Sequence, residues 1–274
     1  MKEEFKLVSR EHTGKGCDLS FLNEAEARKI RTFHQSFPMY NPTPLAHLPE
    51  TAKCLGLGDV YVKDESYRFG LNAFKVLGGS FAIGNYLAEK LGKDISEVSY
   101  EMLISPETKK ELGDITFVTA TDGNHGRGVA WTANQFKLKS VVYMPKGSAL
   151  ERLNNIKAEG AEASITDMNY DEAVRLANSQ AETKGWVMVQ DTAWEGYEKI
   201  PTWIMQGYTT MALEIVEQLN TIKPTHLFLQ AGVGALAGAV TGFFADYYKE
   251  NRPIITIVII RKNKQVSFII YCGI

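Results

Sequence analysis

Cysteine is scarce. Cys17, Cys54 and Cys272 are odd in number, widely spaced and outside any C-x-x-C pattern, so they read as reduced thiols, with neither a disulfide framework nor a zinc site expected. An excess of charge of one sign is also missing: 30 basic and 32 acidic residues leave a net charge of −2 with no basic block. Nucleic acid is therefore not an expected partner. Long apolar runs are absent as well. The most apolar stretch, Ile254 to Ile260, is far too short for a bilayer and reads as a buried strand, so no membrane partner is expected. The opening MKEEFKLVSREH mixes charge with apolar residues and lacks the apolar core of a secretory signal, which points to a cytoplasmic protein. No internal repeat or low-complexity linker is seen.

What is present is enough for a core. The 274 residues are 45% apolar and 11% aromatic, sufficient for one large hydrophobic core or two modest ones. From about Thr116, short β-branched runs alternate with amphipathic stretches, the pattern of an α/β protein with a parallel sheet covered by helices. Strands are expected at Ile115–Ala120, Ser140–Met144, Glu162–Thr166, Val187–Gln190, Thr225–Gln230 and Ile254–Ile260. Helices are expected at Asn124–Phe136, Ala149–Glu159, Tyr170–Lys184, Thr202–Asn220 and Ala235–Tyr248. Ser148 and Asn169 are placed to cap helices that end near Gly160 and Gly185. Upstream, Glu24–His34 and Phe74–Leu91 read as helical and Val60–Lys63 as a strand. The run from 76 to 194 reads as a small α/β domain inserted into a larger one built from 1–75 and 195–274, with the site expected in the cleft between them.

Four segments put small or polar residues where a packed core would prefer bulk: RFGLNAFK (68–75), TDGNHGRG (121–128), QDTAWEGY (190–197) and QAGVGALAG (230–238). In the last, Gly232, Gly234 and Gly238 follow a strand and open a helix, so backbone N–H groups can approach a phosphate; a tight turn packed closely by glycine is an equal alternative. Lys75 stands at a helix start beside Gly78 and Gly79. A desolvated amine there would lose its charge readily and attack an aldehyde, although a solvated helix lysine is the commoner use of the residue. Asp122 and Asn124 follow a strand at its C-terminal end, where parallel sheets place ligands, or else act as helix caps. His125 has no partner at metal-site spacing and reads as a hydrogen-bonded structural residue. Asp191, close to Trp194, is either a carboxylate with a shifted ionisation or a loop cap.

Together these segments resemble the fold-type-II pyridoxal-phosphate enzymes, in which a lysine precedes the small domain, a Gly-Asn-His segment lies along the cofactor ring and a late glycine-rich loop grips the phosphate. Within that group KDESYRFGLNAFKVLGG, TATDGNHGRGVAW, VYMPKGSALERL, ITDMNYDEAVRLA and VQDTAWEGYEKIPTWIMQGY resemble the diaminopropionate ammonia-lyase family. The resemblance runs from about Tyr40 to Ile257. It implies a two-domain fold with twisted parallel-type sheets flanked by helices, pyridoxal 5′-phosphate bound as a Schiff base to Lys75, and Asn124 on the ring hydroxyl. The backbone of Gly232, Val233, Gly234 and Ala235 would hold the phosphate, and no metal is implied. Lys75 and Asp122 would be bases on opposite faces of an amino-acid substrate, which accounts for the family's use of both D and L isomers. Asp191 would read the substrate's second amino group. The implied reaction is α,β-elimination of 2,3-diaminopropionate to pyruvate and two ammonia. A serine or threonine dehydratase is disfavoured by Asp122 and Asp191.

The wording departs from the family after Ile259, at Ile260-Arg261-Lys262-Asn263-Lys264 and SFIIYCGI. The expectation is a truncated or frame-shifted chain whose large domain is incomplete. It would lack the hydroxyl partner of the pyridine nitrogen and part of the family's homodimer contact, with Ile254–Ile260 left as an unpaired apolar edge and Val266–Tyr271 exposed. The rival function is a non-catalytic fragment that binds cofactor weakly or not at all.

Overall fold

In the computed structural model, residues 18–259 and 270–273 are described, and they form two sheets joined by a layer of packed helices. The elements in chain order are α1 (Glu24–Gln35), β1 (Leu45–His47), α2 (Pro49–Leu55), β2 (Val60–Lys63), α3 (Lys75–Lys90), α4 (Tyr100–Ile104), α5 (Pro106–Leu112), β3 (Thr116–Ala120), α6 (Asn124–Gln135), β4 (Lys139–Met144), α7 (Leu150–Ala158), β5 (Glu162–Ile165), α8 (Tyr170–Lys184), β6 (Val187–Met188), α9 (Lys199–Leu219), β7 (His226–Ala231), α10 (Ala235–Tyr248), β8 (Ile254–Ile259) and β9 (Ile270–Gly273).

The smaller sheet has the order β5-β4-β3-β6 and is parallel throughout. Its two faces are covered separately. Val118, Ala120 and Val141 pack against Ala173, Ala177 and Ala181 of α8, while Val142 and Met144 meet Ala130 of α6 and Leu153 and Ile156 of α7. Val141 and Val142 thus point to opposite faces, as the two-residue period of a strand requires.

The larger sheet has the order β1-β2-β9-β7-β8. It is mixed: β7 and β8 are parallel, whereas β1–β2, β2–β9 and β7–β9 pair antiparallel, a departure from the expected parallel pattern. Among the described residues β8 pairs with β7 alone, so Ile254–Ile259 is a sheet edge, as expected, though paired on its other side, and Ile254 and Ile257 on it are exposed. Ile260 and residues 266–269 of the expected exposed tail lie outside the described residues.

Helix limits follow local chemistry where a polar cap is available. Asn169 and Glu172 form a reciprocal capping box at the start of α8, and Gly185 ends it in the left-handed conformation at φ +68°. Ser148 does not cap α7: its hydroxyl donates to the Pro145 carbonyl at 2.8 Å and Ala149 takes the cap position. Cys54 is a free, exposed thiol; Cys17 lies outside the described residues. No helix among the described residues is long and apolar enough to cross a membrane.

The layer that positions the site is α3, clamped between α6 and α9. A Cβ at Gly207 would collide with the Leu77 carbonyl, one at Gly78 would stand 2.7 Å from Ile204 and Tyr208 side-chain carbons, and one at Gly128 2.9 Å from the Val76 Cα. Glycine at these positions lets three helix backbones approach closely, which fixes the start of α3.

Candidate active site

Lys75 is the first residue of α3, and the turn leading into it is held by tertiary contacts. Phe69 (φ +48°), Gly70 (φ +73°) and Asn72 (φ +55°) adopt left-handed backbone angles, which for Phe and Asn must be stabilised from outside. That support comes from Phe69 stacked on Trp131 at a 5.1 Å ring separation, from Arg127 donating to the Leu71 carbonyl at 3.2 Å, and from Arg68.

Arg68 is the centre of a buried charge cluster that sequence reasoning missed. Its guanidinium donates to both Glu214 carboxylate oxygens at 2.8 Å and to both Glu65 oxygens at 2.9 and 2.8 Å. Lys63 Nζ stands 2.7 Å from Glu214 Oε2 and donates to the Thr43 carbonyl and to Gln218, and the Tyr40 hydroxyl donates to Glu214 Oε1 at 2.8 Å. Burial works to raise the Glu214 carboxyl, but the hydrogen bonds and charges of Arg68 and Lys63 outweigh it and bring it down to about 2. The one signal in the sequence is an acid, Glu214, inside the otherwise apolar run Met211–Val216 of α9.

The Lys75 amine donates to Asp191 Oδ2 at 2.5 Å. Asp191 lies just past β6 and is 6% exposed. Burial works to raise its carboxyl, while His125 when protonated, the Lys75 charge and the Lys75 hydrogen bond bring it down to about 2. Burial also works to lower the Lys75 amine, but Tyr208, Asp191 and Tyr170 turn the net shift upward. This corrects the expectation that burial strips the lysine of its charge: a carboxylate at hydrogen-bond distance holds the proton on. Before Lys75 can attack a carbonyl, it must give that proton up.

Around the pair stand polar atoms with nothing to bind. Six buried side-chain N or O atoms among the described residues lack a hydrogen-bond partner; His125 Nδ1, Thr192 Oγ1 and the Tyr208 hydroxyl are the three near the pair, and Gln230 Oε1, a fourth, belongs to β7 just before the glycine loop. His125 Nε2 is bonded to the Val189 carbonyl at 2.8 Å, and its Nδ1 faces Asp191 Oδ2 at 3.9 Å. Burial pushes its imidazole down, so it is neutral near pH 7. Among the described residues no three His, Cys, Asp or Glu side chains are grouped to hold a metal.

The other expected site residues stand further out. Asp122 and Asn124 are exposed at the start of α6, and neither caps it; Gly123 has the cap position without a side-chain bond. The Asp122 side chain is 73% accessible and 3.9 Å from Arg152, whose guanidinium also donates to the Asp122 carbonyl at 3.0 Å. Asp122 is thus not in hydrogen-bond contact with Lys75. Gly232 and Val233 are exposed, and Gly234 precedes α10 at φ +98°. A Cβ at Gly232 or Gly234 would meet nothing within 4 Å, so glycine serves backbone conformation at Gly234 and open approach at both, not internal packing. The first turn of α10 has no side-chain cap and no acidic residue, which leaves its N–H groups free for an anion. α9 ties this loop to the lysine: Tyr208 packs on Phe74 at 5.1 Å between rings, and one turn earlier Met205 meets Gly238.

Known proteins resemble this chain over most of its length. The family model described as pyridoxal-phosphate dependent enzyme matches residues 37–269. A diaminopropionate ammonia-lyase of Salmonella typhimurium is 58% identical over 252 residues, covering 91% of this chain and 62% of the relative. Among solved structures, apo Escherichia coli diaminopropionate ammonia lyase superposes with a TM-score of 0.83 at 51% identity, over 87% of this chain and 64% of that one. The same enzyme in complex with an aminoacrylate-PLP azomethine reaction intermediate gives 0.81 at 50% identity, over 90% and 61%. The chain therefore spans less than two thirds of the length of these relatives.

Proposed function

Since the chain belongs to the family of pyridoxal-phosphate dependent enzymes, we propose that it is a carbon–nitrogen lyase that eliminates ammonia from 2,3-diaminopropionate of either hand. Its residues fit the cofactor: an amine for the aldehyde, an open glycine loop on uncapped helix N–H groups for the phosphate, and buried polar atoms left without partners between them. Lys75 would carry the cofactor, Gly232, Val233, Gly234 and Ala235 its phosphate, and Asn124 its ring hydroxyl. Bound there, pyridoxal phosphate supplies the electron sink that makes an amino acid's Cα proton removable.

The chain's own residues do the rest. When Lys75 is neutralised, the second ammonium of the substrate takes its place opposite Asp191, which held the Lys75 ammonium before. The observation that carries the reading is this buried carboxylate at 2.5 Å from the lysine: a monoamino substrate such as serine or threonine offers it no cation. Lys75 and Asp122 serve as the two bases, one for each isomer, with Arg152 orienting Asp122. The relatives' names, diaminopropionate ammonia-lyase, support the substrate. The same reading takes residues 1–75 and 195–274 as the large part and 76–194 as the inserted part, and it takes the chain as a cytoplasmic protein and, as the resemblance implies, a homodimer.

The test is turnover of D- and L-2,3-diaminopropionate against serine and threonine, with the visible absorption of added pyridoxal phosphate recorded for the wild type and Lys75→Ala. A band in the wild type alone, with diaminopropionate preferred, is the expected result. Activity on threonine alone overturns the substrate. Absence of the band from both folded proteins leaves a fragment without catalysis.

A further inference from the structure

Asp191 is paired with a cation it cannot keep. Whenever Lys75 gives up its proton to act as a nucleophile or a base, a carboxylate 6% exposed loses its counter-charge and is driven toward protonation unless other donors face it. The protonatable neighbours can be gone through in turn. His125 donates from Nε2 to the Val189 carbonyl at 2.8 Å, so in the neutral ring Nδ1 turns a lone pair, not a proton, toward Asp191. The Tyr197 hydroxyl is committed, donating to the Met188 carbonyl at 3.0 Å and accepting from the Gln190 N–H at 2.8 Å. Tyr208 stands on the Lys75 side, against Phe74. Asp122 is itself an anion, exposed beside Arg152. Tyr170 remains.

Its hydrogen-bond arithmetic is set by Gln190. The Gln190 carbonyl oxygen accepts from the Thr119 hydroxyl at 2.9 Å and the Ala120 N–H at 3.1 Å, both buried, which fixes the amide so that its NH2 group faces the other way. That group donates to the Tyr170 hydroxyl at 3.0 Å and stands 3.5 Å from Asp191 Oδ1. The Tyr170 oxygen is thereby an acceptor, and its own proton is left for another partner, with the Thr192 hydroxyl beside it. Burial acts most on the ionisation of this hydroxyl, followed by Asp191, the Thr192 hydroxyl, Lys75 and Asp122, so it lies within electrostatic range of each expected catalytic group. Tyr170 is also the first residue of α8, held by the Asn169–Glu172 capping box, and it lines an open cavity of about 410 Å³ together with Thr192 and Trp194.

We propose that Tyr170 is a positioning residue: its hydroxyl, locked as an acceptor by Gln190, gives its proton in a hydrogen bond to the Asp191 carboxylate when the Lys75 ammonium is withdrawn, keeping that carboxylate ionised and aimed at a cationic amine of the substrate. The amine's identity rests on the lyase reading; the hydrogen bond does not.

The full-length Lys75→Met chain isolates the effect, because it removes the ammonium without any cofactor. Infrared titration of the protonated-carboxyl stretch, assigned to Asp191 by its loss in Lys75→Met/Asp191→Asn, gives the pH at which Asp191 takes up a proton. Adding Tyr170→Phe is expected to raise that pH by about one unit, a tenfold change in proton affinity, and Lys75→Met/Gln190→Met to raise it by less. With Lys75 intact, Tyr170→Phe is expected to raise KM for diaminopropionate about tenfold with a smaller change in kcat, and to move the acid limb of kcat/KM upward. Identical titration with and without the Tyr170 hydroxyl overturns the proposal, as it must if that proton goes to the neighbouring Thr192 hydroxyl instead. A shifted titration in a protein that does not turn over diaminopropionate upholds Tyr170 and rejects the lyase reading.

Discussion

Two carboxylates, Glu214 and Asp191, each meet a basic side chain in the interior, and the two sites are built in opposite ways. Around Glu214 both oxygens are engaged by Arg68, Lys63, Tyr40 and the Thr43 N–H, and the spare donors of Arg68 and Lys63 end on Glu65, Thr43 and Gln218. Around Asp191 there is one cation, Lys75, while His125 Nδ1, Thr192 Oγ1 and the Tyr208 hydroxyl have no partners. A buried network with every donor used resists change; one with donors left over is arranged for something that is not protein. The closed site adjoins the open one, because Arg68 and Lys75 bound the same short segment, whose left-handed residues are held by Phe69 on Trp131, by Arg127 on the Leu71 carbonyl and by the Leu71 N–H on the Arg68 carbonyl.

The contrast breaks most clearly at Arg68. Arg68→Met leaves Glu65 and Glu214 short of their main partner and is expected to cost about 3–5 kcal/mol in urea unfolding. A cost near that of an ordinary surface substitution would show that the cluster is not what anchors the segment.

Acid sharpens the same comparison. Glu214 has a native value of about 2 against 4.5 for the ordinary carboxyl, so its contribution is complete above about pH 4.5 and is lost as pH falls toward 2. His34 is buried between Thr210, Ser80 and the Leu77 carbonyl, and burial pushes it from 6.5 down to about 3. It is neutral when folded and charged when unfolded over that range, so its contribution too is lost as pH falls, starting near 6.5. The free energy of unfolding is therefore expected to decline from about pH 6.5 downward, by a total on the order of a few kcal/mol, and the melting temperature with it. A His34→Gln variant should remove the upper part of the decline and leave the part below about pH 4.5 in place.

A smaller effect is expected where the helices touch. Gly207→Ala drives a methyl group into the Leu77 carbonyl and should cost about 1–3 kcal/mol by separating α9 from α3. Because Lys75 begins α3, the variant should also weaken retention of pyridoxal phosphate, which equilibrium dialysis would measure.

The smallest effect belongs to the open site. Asp191→Asn is expected to cost less than about 1 kcal/mol of folding stability, since the Lys75 side chain is 23% accessible and water can take over its charge. A cost equal to that of Arg68→Met would erase the distinction between the two sites.

Much of the scaffold was legible before any coordinates. The limits expected for α8 and α10 match the structure, and the strands of the small sheet fall within a few residues of their expected places, because hydrophobic period, caps and glycine stops are local properties. Ser148 failed as a cap because the Pro145 carbonyl competed for its hydroxyl. The Arg68–Glu214 cluster was invisible because its members come from β2, the loop before α3, and α9, and no local pattern says that a charge in an apolar helix has found its partner 146 residues away.

At the site the division is similar. Lys75, Asp191 and the 232–235 loop were picked out from residue type and position, and the structure brings the first two into contact. Asp122 was picked out as well, but the structure leaves it on the exposed rim beside Arg152. By itself the sequence determined the α/β alternation, the helix limits and the family to which the chain belongs, since each is written in neighbouring residues. Tertiary structure alone decided that Lys75 keeps its proton, that Gln190 sets the role of Tyr170 and that Arg68 is structural. Those outcomes depend on which charges and donors end up within about 3 Å in a medium that screens them poorly, a distance that only folding fixes.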